Sequence, residues 1–218
     1  MTHTAKTSAC VAVVEGVRER RRARTRDDIE AAALGLFLER GYEATTIEDI
    51  AEAALISPRT FFRYFASKDD LLLARGRDET ALAARSLAER PPEEPIMDSL
   101  RAVLGVFAAL HSTDSERRLA WIRLVTTTPQ LAAGFLEMLR GKEQVLRDFV
   151  AGRLGLKTSD RRPRLAAAAF GAAFRVAAET WQESDGAEDL TVLVRQNVET
   201  LVTPLIEAWS EEGAALGR

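Results

Sequence analysis

Four helix-start signals lie close together in the first third of the chain, and they constrain its fold more than any other feature. In each, a hydroxyl side chain that can accept from the free amides of a first helical turn stands beside residues that favour that turn. The signals are Thr25-Arg26-Asp27-Asp28, Thr45-Thr46-Ile47-Glu48, Ser57-Pro58 and Ser67-Lys68-Asp69-Asp70. Helices this short are stable only when they pack on one another, so the stretch predicts a compact helical unit.

The sequence also indicates where the helices of this unit end. An apolar stripe follows Thr25 and ends at Arg40-Gly41, where glycine stops the helix. We predict helices at 25–40 and 47–54, a third beginning at Pro58, and a fourth running from Ser67 towards Arg90. Residues 1–17 show no helical periodicity, and they are predicted to form a flexible tail.

Prolines separate this unit from the rest of the chain. The segment Pro91-Pro92-Glu93-Glu94-Pro95 cannot continue a helix, and helical apolar spacing resumes beyond it. Five further helices are predicted, at 96–111, 115–126, 129–153, 161–183 and 188–211. Aromatic residues make up only 6% of the chain, while alanine, leucine, arginine and glutamate dominate. We therefore expect an all-α protein of about nine helices.

The distribution of charge limits where the protein can contact nucleic acid. A formal net charge of −3 argues against a protein that coats DNA or RNA over its whole surface. Six arginines against one glutamate nevertheless lie between Arg18 and Arg26, the strongest local basic cluster in the sequence. Any contact with DNA is therefore expected to be local.

Cysteine content and hydropathy indicate the compartment. A single cysteine, Cys10, excludes an intramolecular disulfide and a cysteine cluster for zinc or iron–sulfur. The apolar stretch 9–17 is short, is interrupted by Glu15, and has its positive charge after it, unlike a signal peptide. No segment approaches the roughly 20 apolar residues that cross a bilayer. We expect a cytoplasmic protein with no cofactor, no metal site and no membrane contact.

The segment 47–64 has the composition of a helix-turn-helix. Two short helices that cross steeply need small residues at the crossing and apolar residues on the facing sides. Ala51 and Ala54 supply the small residues, and the candidate apolar faces consist of Ile50, Ile56, Phe61 and Tyr64. The second helix is then free to enter a major groove, where its first turn reaches base edges.

This part of the sequence resembles the DNA-binding domain of the TetR family of transcriptional regulators, over about residues 20–75. The matching segments are Phe37-Leu38-Glu39-Arg40-Gly41-Tyr42, Thr45-Thr46-Ile47-Glu48-Asp49-Ile50-Ala51, Ser57-Pro58-Arg59-Thr60-Phe61-Phe62-Arg63-Tyr64-Phe65 and Ser67-Lys68. Beyond residue 90 only the length and the helical character match. The resemblance implies a three-helix DNA-binding domain with a basic N-terminal arm at 18–70, and a larger helical ligand-binding and dimerisation domain at 71–218.

The resemblance also implies which side chains contact DNA. Arg59 stands at the groove-facing start of the recognition helix, where its planar fork can donate to O6 and N7 of guanine together. The basic arm adds attraction to phosphates or enters an adjacent minor groove. The expected DNA-contacting residues are Arg24, Thr45, Thr46, Ser57, Pro58, Arg59, Thr60, Phe62, Arg63, Tyr64 and Lys68.

Two positions depart from the pattern of the family. The turn position usually held by glycine is Leu55, so the turn either avoids positive φ or carries strain of about 1–2 kcal/mol. Phe62 stands where a phosphate-binding tyrosine is common, so we expect Phe62 to pack on sugar or on a thymine methyl instead.

A single small module cannot grip an operator tightly, so we expect a homodimer on palindromic double-stranded DNA, with recognition helices about 34 Å apart or a multiple of that distance. The last two predicted helices are the candidates for the interface, one rich in small residues and one with an apolar stripe. The expected interface residues are Ala168, Ala172, Val194, Val198, Leu201, Leu205 and Trp209. The alternative is that these helices form a core within one subunit.

The remaining helices carry most of the large apolar residues, and the resemblance implies that they surround a small effector of apolar or amphipathic character. The expected lining residues are Phe107, His111, Trp121, Arg123, Phe135, Met138, Phe170, Phe174, Arg175 and Trp181, with the histidine and the two arginines as polar anchors. Each aromatic residue taken alone is more often part of a core. The effector is expected to lower operator affinity by favouring a domain arrangement that no longer matches adjacent grooves.

Two other classes of function were weighed against a regulator. His3 and His111 are the only histidines, and no phosphate-binding glycine loop is present, so we expect no enzymatic activity. The alternative is an architectural DNA-binding or protein-interaction protein without an effector. Residues 1–90 would suffice for such a role, and the large C-terminal unit would be unexplained.

Overall fold

The computed structural model describes the backbone of residues 3–111 and 115–216, and the side chains of residues 18–109 and 115–209. Every regular element within these ranges is a helix, and the prediction of an all-α fold is confirmed. The elements are α1 (His3–Arg40), α2 (Ile47–Ala53), α3 (Pro58–Tyr64), α4 (Lys68–Ala88), α5 (Ile96–His111), α6 (Ser115–Thr127), the 3-10 helix η1 (Pro129–Leu131), α7 (Ala132–Leu154), α8 (Arg161–Glu183), α9 (Leu190–Leu201) and α10 (Thr203–Leu216).

The first helix is much longer than the sequence pattern suggested. The helix start predicted at Thr25 is wrong, and residues from His3 onwards, predicted to lack helical structure, belong to α1. Thr25 Oγ1 donates to the Arg21 carbonyl at 3.0 Å, as a hydroxyl inside a helix does, instead of capping a new turn. Arginine is a good helix former, so the basic segment 18–26 continues the helix where we expected it to begin.

The chain divides into two compact units, one ending at Leu72 and the other beginning at Leu73. In the first unit α1 packs on α2, and α2 packs on α3. The interior consists of apolar side chains that are at most 2% exposed: Ile29, Ala33, Phe37, Ile50, Ala51, Phe61 and Phe65. This burial supplies the stability that such short helices lack on their own.

A capping box between Thr46 and Asp49 begins α2 at Ile47, the residue at which the sequence placed this helix start. The Thr46 hydroxyl accepts from the Asp49 amide at 3.1 Å, and Asp49 Oδ2 accepts from the Thr46 amide at 2.8 Å. The acidic partner is therefore Asp49, one residue beyond the Glu48 at the end of the helix-start signal in the sequence. The two reciprocal bonds satisfy amide donors that a helix start leaves free.

The caps predicted for the next two helices are confirmed. The Ser57 hydroxyl accepts from the Thr60 amide at 3.2 Å, and Pro58 takes the first position of α3, where no amide donor is needed. The Ser67 hydroxyl accepts from the Asp70 amide at 3.0 Å at the start of α4. At the start of α2, α3 and α4, a side-chain oxygen thus accepts a hydrogen bond from an amide of the first helical turn.

In the second unit, α8 packs on both α7 and α9. The inner face of α8 consists of alanines that are at most 4% exposed, which lets the neighbouring backbones come close: Ala166, Ala167, Ala173 and Ala177. Trp181, 2% exposed, fills the interior near the end of the same helix. None of the described helices combines the length and the apolar composition needed to cross a membrane.

Two of the predicted helices are divided in the structure. The helix expected at 188–211 is divided at Val202 into α9 and α10, because Pro204 has no amide hydrogen to donate to the carbonyl four residues earlier. The helix expected at 129–153 opens as the 3-10 helix η1 and continues as α7. Gly155, with φ of 63°, ends α7 in the left-handed conformation that favours glycine.

Charged side chains hold the proline-rich connection between α4 and α5. Arg90 and Glu94 form an ion pair, and the Ser99 hydroxyl donates to Glu94 Oε2 at 2.6 Å. Arg153 of α7 donates through Nη1 to the carbonyls of Pro92 at 2.5 Å and Glu94 at 2.8 Å. The hydrogen bonds from Arg90 and Ser99 lower the pKa of the Glu94 carboxyl from its ordinary value of 4.5 to about 2.

This lowered pKa predicts how the stability of the second unit depends on pH. The bonds to the Glu94 carboxylate are fully stabilising above the unfolded-state pKa of about 4.5, and they are lost as pH falls through about 2. Glu94→Gln is therefore expected to lower the free energy of unfolding at pH 7, with the difference from wild type shrinking between pH 4.5 and pH 2. Urea denaturation across this range measures the difference.

A second variant distinguishes the contributions of Ser99 and Arg90, the two donors to the Glu94 carboxylate. Ser99→Ala removes one donor, so we expect the pH dependence of the free energy of unfolding to be weaker than in wild type but still present. A difference between Glu94→Gln and wild type that stays constant down to pH 2 would contradict the role given to this carboxylate.

Candidate nucleic-acid interface

Helix α3 has one buried face and one exposed face. Phe61 is completely buried and its ring lies 5.8 Å from that of Phe65, which anchors the helix in the first unit. Arg59 and Arg63 are exposed, and Phe62 is 55% exposed. These three residues share one side of the helix, since they are three and four positions apart. The packing of Phe61 therefore presents two guanidinium groups and an aromatic ring outwards.

The remaining predicted contacts on α3 lie around its first turn. Ser57 and Pro58 are exposed, and the hydroxyls of Ser57 and Thr60 are 3.0 Å apart. Tyr64 is half-buried, and the guanidinium carbon of Arg63 lies 5.2 Å from the centre of its ring. The structure therefore brings the predicted residues of this helix together on one accessible surface.

The turn before α3 adopts the left-handed conformation. Leu55 has φ of 55°, and its side chain is 93% exposed. The Leu55 amide donates to the Glu52 carbonyl at 3.0 Å, and the Ile56 amide donates to the Ala51 carbonyl at 2.9 Å. This is the Schellman pattern, in which glycine normally occupies the left-handed position. Of the two possibilities left open by the sequence, the strained turn is the one that forms.

Two residues expected to contact DNA are engaged inside the first unit. Thr45 is completely buried and its hydroxyl donates to the Gly41 carbonyl at 2.8 Å, so its side chain does not belong to the exposed surface. Lys68 Nζ donates to the carbonyls of Tyr42 at 2.9 Å and Thr45 at 2.6 Å. Because an ammonium group has three N–H donors, Lys68 keeps one beyond these two bonds.

The basic segment of α1 contributes unevenly to the surface. Arg24 is exposed, as are the arginines between positions 18 and 22. Arg26 instead pairs with Glu30 at 3.2 Å, and its guanidinium carbon lies 5.4 Å from the centre of the Phe65 ring. The last arginine of the segment therefore packs on the core, while the earlier ones remain on the surface with Thr46, which is also exposed.

The residues expected to line an effector site fall into two groups. Trp181 and Met138 are buried, and Met138 packs directly on Gly76 of α4. Phe135 is half-buried. The other four aromatic residues are partly buried against the core of the second unit: Phe107, Trp121, Phe170 and Phe174.

The predicted polar anchors lie elsewhere. Arg123 is 44% exposed and pairs with Asp185 at 2.8 Å, and Arg175 is 65% exposed and pairs with Glu179 at 2.9 Å. Both guanidinium groups are thus used on the surface, so neither reaches the interior as expected. The side chain of His111 lies outside the described residues.

Of the residues expected at a dimer interface, some are buried within the chain and others are exposed. Val194 and Val198, at 5% and 1% exposed, pack inside their own subunit, so they do not belong to an interface. Leu201 is 43% exposed, while Trp209 is partly buried against the core and Leu205 is half-buried.

On α8, the outer face carries residues that sequence reasoning only partly found. The predicted Ala168 is exposed and Ala172 is half-buried. Leu165 and Val176, at 48% and 45% exposed, lie on the same side and were missed. The spacing of 165, 168, 172 and 176 around the buried alanines is the signal that could have found this face.

The first unit therefore contains two capped helices of seven residues each, a tight turn between them, and a second helix whose outer face carries arginines. This arrangement is a helix-turn-helix, and its outward helix has the side chains that read a major groove. A helix-turn-helix joined in one chain to a larger helical unit defines a DNA-binding transcriptional regulator.

The comparisons with known proteins agree with this class. The sequence model of bacterial regulatory proteins of the tetR family matches residues 29–74, and that of the MftR C-terminal domain matches residues 94–206. The regulator TcmR of Streptomyces glaucescens is 38% identical over 208 residues, covering 91% of this chain and 92% of TcmR. The regulator MftR of Mycobacterium tuberculosis is 34% identical over 148 residues, covering 68% and 75%.

A solved structure shares the fold. FadR from Bacillus subtilis, in complex with stearoyl-CoA, matches with a TM-score of 0.60 at 22% identity, covering 80% of this chain and 96% of FadR. On the sequence matches over both parts of the chain, this protein belongs to the TetR family of bacterial regulatory proteins.

The strained turn gives a test of the local structure. Leu55→Gly is expected to raise the free energy of unfolding by about 1 kcal/mol, because glycine adopts positive φ freely and the exposed leucine side chain loses no packing. Ala54→Gly is the matched control: Ala54 has φ of −84°, so glycine there is expected to cost about 0.5–1 kcal/mol. Urea denaturation of the full chain measures both, and a loss of stability in Leu55→Gly would argue against a strained turn.

Proposed function

We propose that this regulator is a repressor that binds palindromic operator DNA as a homodimer and leaves the operator when a small apolar or amphipathic molecule binds its second unit. The observation that carries the DNA-binding part is the outer face of α3, where Arg59, Phe62 and Arg63 are exposed side by side while Phe61 is buried behind them. Side chains in this arrangement reach base edges when the helix enters a major groove.

Different roles follow for the exposed arginines. Arg59, in the first turn of α3, is placed to donate to both acceptors of a guanine, which distinguishes it from the other bases. Arg24, on α1, is placed to attract phosphates without reading sequence. Phe62 offers an apolar face to a thymine methyl, and the paired hydroxyls of Ser57 and Thr60, 3.0 Å apart, keep one hydrogen that can be donated to a phosphate.

A matched pair of substitutions tests these roles. Operators are first selected from random duplexes by the wild-type protein. Arg59→Ala is expected to reduce discrimination between the selected operator and a duplex with one guanine replaced by about 1–3 kcal/mol. Arg24→Ala removes the same charge but is expected to weaken binding to all duplexes alike and to lower the salt dependence by about one phosphate contact. Equal, sequence-blind losses from both variants would refute the role of Arg59.

The outer faces of α8 and α9 support the proposal of a dimer. Leu165, Val176 and Leu201 are large apolar residues that are each more than 40% exposed in the single chain. Ala168 and Ala172 lie on the same face as the first two, and small residues allow another helix to approach closely. Two helices from each subunit would form a four-helix interface related by twofold symmetry.

Charge placed on this face tests the dimer. Leu201→Glu is expected to raise the dimer dissociation constant by at least about tenfold, because an interface would bury its carboxylate without a partner. Leu136→Glu is the control, because Leu136 is 54% exposed and belongs to α7, which carries none of the residues proposed for this face. Light scattering after size-exclusion chromatography measures the mass of each variant. If Leu201→Glu remains as dimeric as the control, the proposed face is wrong.

The second unit supports the proposal of an effector. Partly buried aromatic residues surround its core, and sites for small ligands are built mainly from such residues with a few polar groups. An effector that favours one conformation of the dimer lowers operator affinity by the difference in its affinity for the two conformations. Release of a selected operator on addition of a ligand, measured by fluorescence anisotropy, tests this part of the proposal.

A further inference from the structure

A guanidinium group in the second unit is buried without a complete set of partners. Arg118, on α6, is half-buried, and its Nη1 atom is shielded from solvent with no hydrogen-bond partner in the part of the chain that the structure describes. A shielded cation without a partner destabilises the fold that contains it. Such a group is therefore a candidate for a binding function, in which a ligand supplies the missing acceptor.

Two charged groups of α4 act on Arg118 in opposite directions. The charge of Glu79, on α4, favours the guanidinium cation, while that of Arg75, one turn earlier, opposes it. Glu79 is also shared, because its Oε2 accepts from Lys142 Nζ of α7 at 3.2 Å. Lys142 therefore competes with Arg118 for the charge of the same carboxylate.

Burial also makes the charged form of the Arg118 side chain less favourable. Desolvation, which outweighs the effect of Glu79, lowers the pKa of the Arg118 guanidinium from its ordinary value. The group keeps its proton at neutral pH, since arginine does not lose it in proteins. A lowered pKa in a group that stays charged means that the surroundings stabilise the cation less well than water does.

Aromatic side chains border the charged cluster. Lys142 Nζ lies 5.3 Å from the centre of the Phe174 ring on α8. Trp121 follows Arg118 by three positions on α6, so the two side chains point to the same side of the helix. Trp121 and Phe174 are both partly buried against the core. The guanidinium with the unsatisfied Nη1 therefore shares one side of α6 with Trp121, while Phe174 contacts the lysine that binds Glu79.

We propose that Arg118 anchors the effector, and that the effector is an amphipathic monocarboxylate whose carboxylate pairs with the guanidinium while its apolar part packs against Trp121 and Phe174. This inference rests on the proposed effector-responsive function and specifies the chemistry of its ligand. A planar guanidinium and a carboxylate can form two parallel hydrogen bonds, which a neutral head group cannot reproduce.

The test compares two probes that differ only in the head group. Dodecanoate and 1-dodecanol are titrated into the full-length protein at pH 8, below the concentrations at which they aggregate, and binding is measured by calorimetry. Dodecanoate is expected to bind about 10- to 100-fold more tightly, the range that a charge-assisted hydrogen bond supplies. Equal affinities, or tighter binding of the alcohol, would overturn the proposal.

Substitutions at Arg118 then locate the preference. Arg118→Met is expected to abolish the preference for dodecanoate while retaining dodecanol binding, and Arg118→Lys is expected to keep a reduced preference. Arg140→Met is the matched control, since Arg140 is an exposed arginine of α7 that pairs with Glu137. A preference that survives Arg118→Met, or that disappears in Arg140→Met, contradicts an anchor at Arg118.

Stability provides a second measurement on the same variants. Without ligand, Arg118→Met is expected to raise the melting temperature by about 2–4 °C. The substitution removes a shielded charge whose hydrogen-bond partners are incomplete. Dodecanoate is expected to raise the melting temperature of wild type but not of Arg118→Met. A large fall in the melting temperature of Arg118→Met would show that the guanidinium is already satisfied within the fold, and it would overturn the proposal.

Asp114 could supply an acceptor to the Arg118 guanidinium in place of a ligand, because residues four positions apart are neighbours on a helix. Asp114 lies outside the described residues. The proposal predicts that Asp114→Asn leaves dodecanoate affinity unchanged. A rise of tenfold or more in Asp114→Asn would show that Asp114 normally occupies the guanidinium, and it would count against an effector anchor.

The DNA experiment separates this inference from the proposed function. Calorimetry with the two probes contains no DNA, so its result decides the role of Arg118 alone. Release of the selected operator by dodecanoate is measured separately. If dodecanoate binds through Arg118 but does not release the operator, the anchor stands and the effector-released repressor is refuted.

Discussion

The packing of α1 on α2, and of α2 on α3, is the constraint on which the first unit depends. Each of the two short helices has seven residues, fewer than a helix needs to persist in water. Their order comes from burial of Ile50 and Phe61 in the interior of the first unit, together with the caps at Thr46 and Ser57. The outward direction of Arg59 is therefore set by apolar contacts on the opposite side of its helix.

The connection between α1 and α2 is held by polar bonds that reinforce this packing. The ammonium group of Lys68 donates to two backbone carbonyls of that connection, and it also lies 4.6 Å from the centre of the Tyr42 ring. The Tyr42 hydroxyl donates to Asp69, the residue next to Lys68. Burial and the neighbouring carboxylate raise the pKa of Tyr42 well above its ordinary value, so the hydroxyl stays a donor at physiological pH. The start of α4 thus fixes the loop that precedes the helix-turn-helix.

Much of the fold could be predicted from the sequence, because local signals decide it. The serine caps of α3 and α4, the bounds of α5 and α8, and the left-handed turn as one of two possibilities at Leu55 follow from side chains close in sequence. The helical signal of α1 was missed because Thr25 and the acids after it imitate a cap, and only its bond to Arg21 shows that the helix continues. The break between α9 and α10 at Val202 could have been predicted from Pro204. We predicted one continuous helix because the apolar spacing runs through both segments.

The candidate sites were less predictable, because they depend on which side of a helix faces inwards. Val194 and Val198 have the same spacing whether they pack within a subunit or between subunits, and only the folded chain assigns them to the core. Thr45 and Thr46 are adjacent hydroxyls, yet one is buried and the other exposed. No sequence pattern reveals the shielded nitrogen of Arg118, since the charged groups that act on it belong to a distant helix, α4.

The helical winding of the arginine segment in α1 has a consequence for how the protein finds DNA. Successive residues of a helix are turned by about 100°, so arginines at 18, 20, 21, 22 and 24 point in all directions around the helix axis and cannot all touch one duplex. Their combined field attracts a polyanion approaching from any side, which speeds diffusional encounter more than it prolongs residence. All arginines of the segment therefore contribute to the association rate, whereas only those on one side of the helix can also contact the bound duplex.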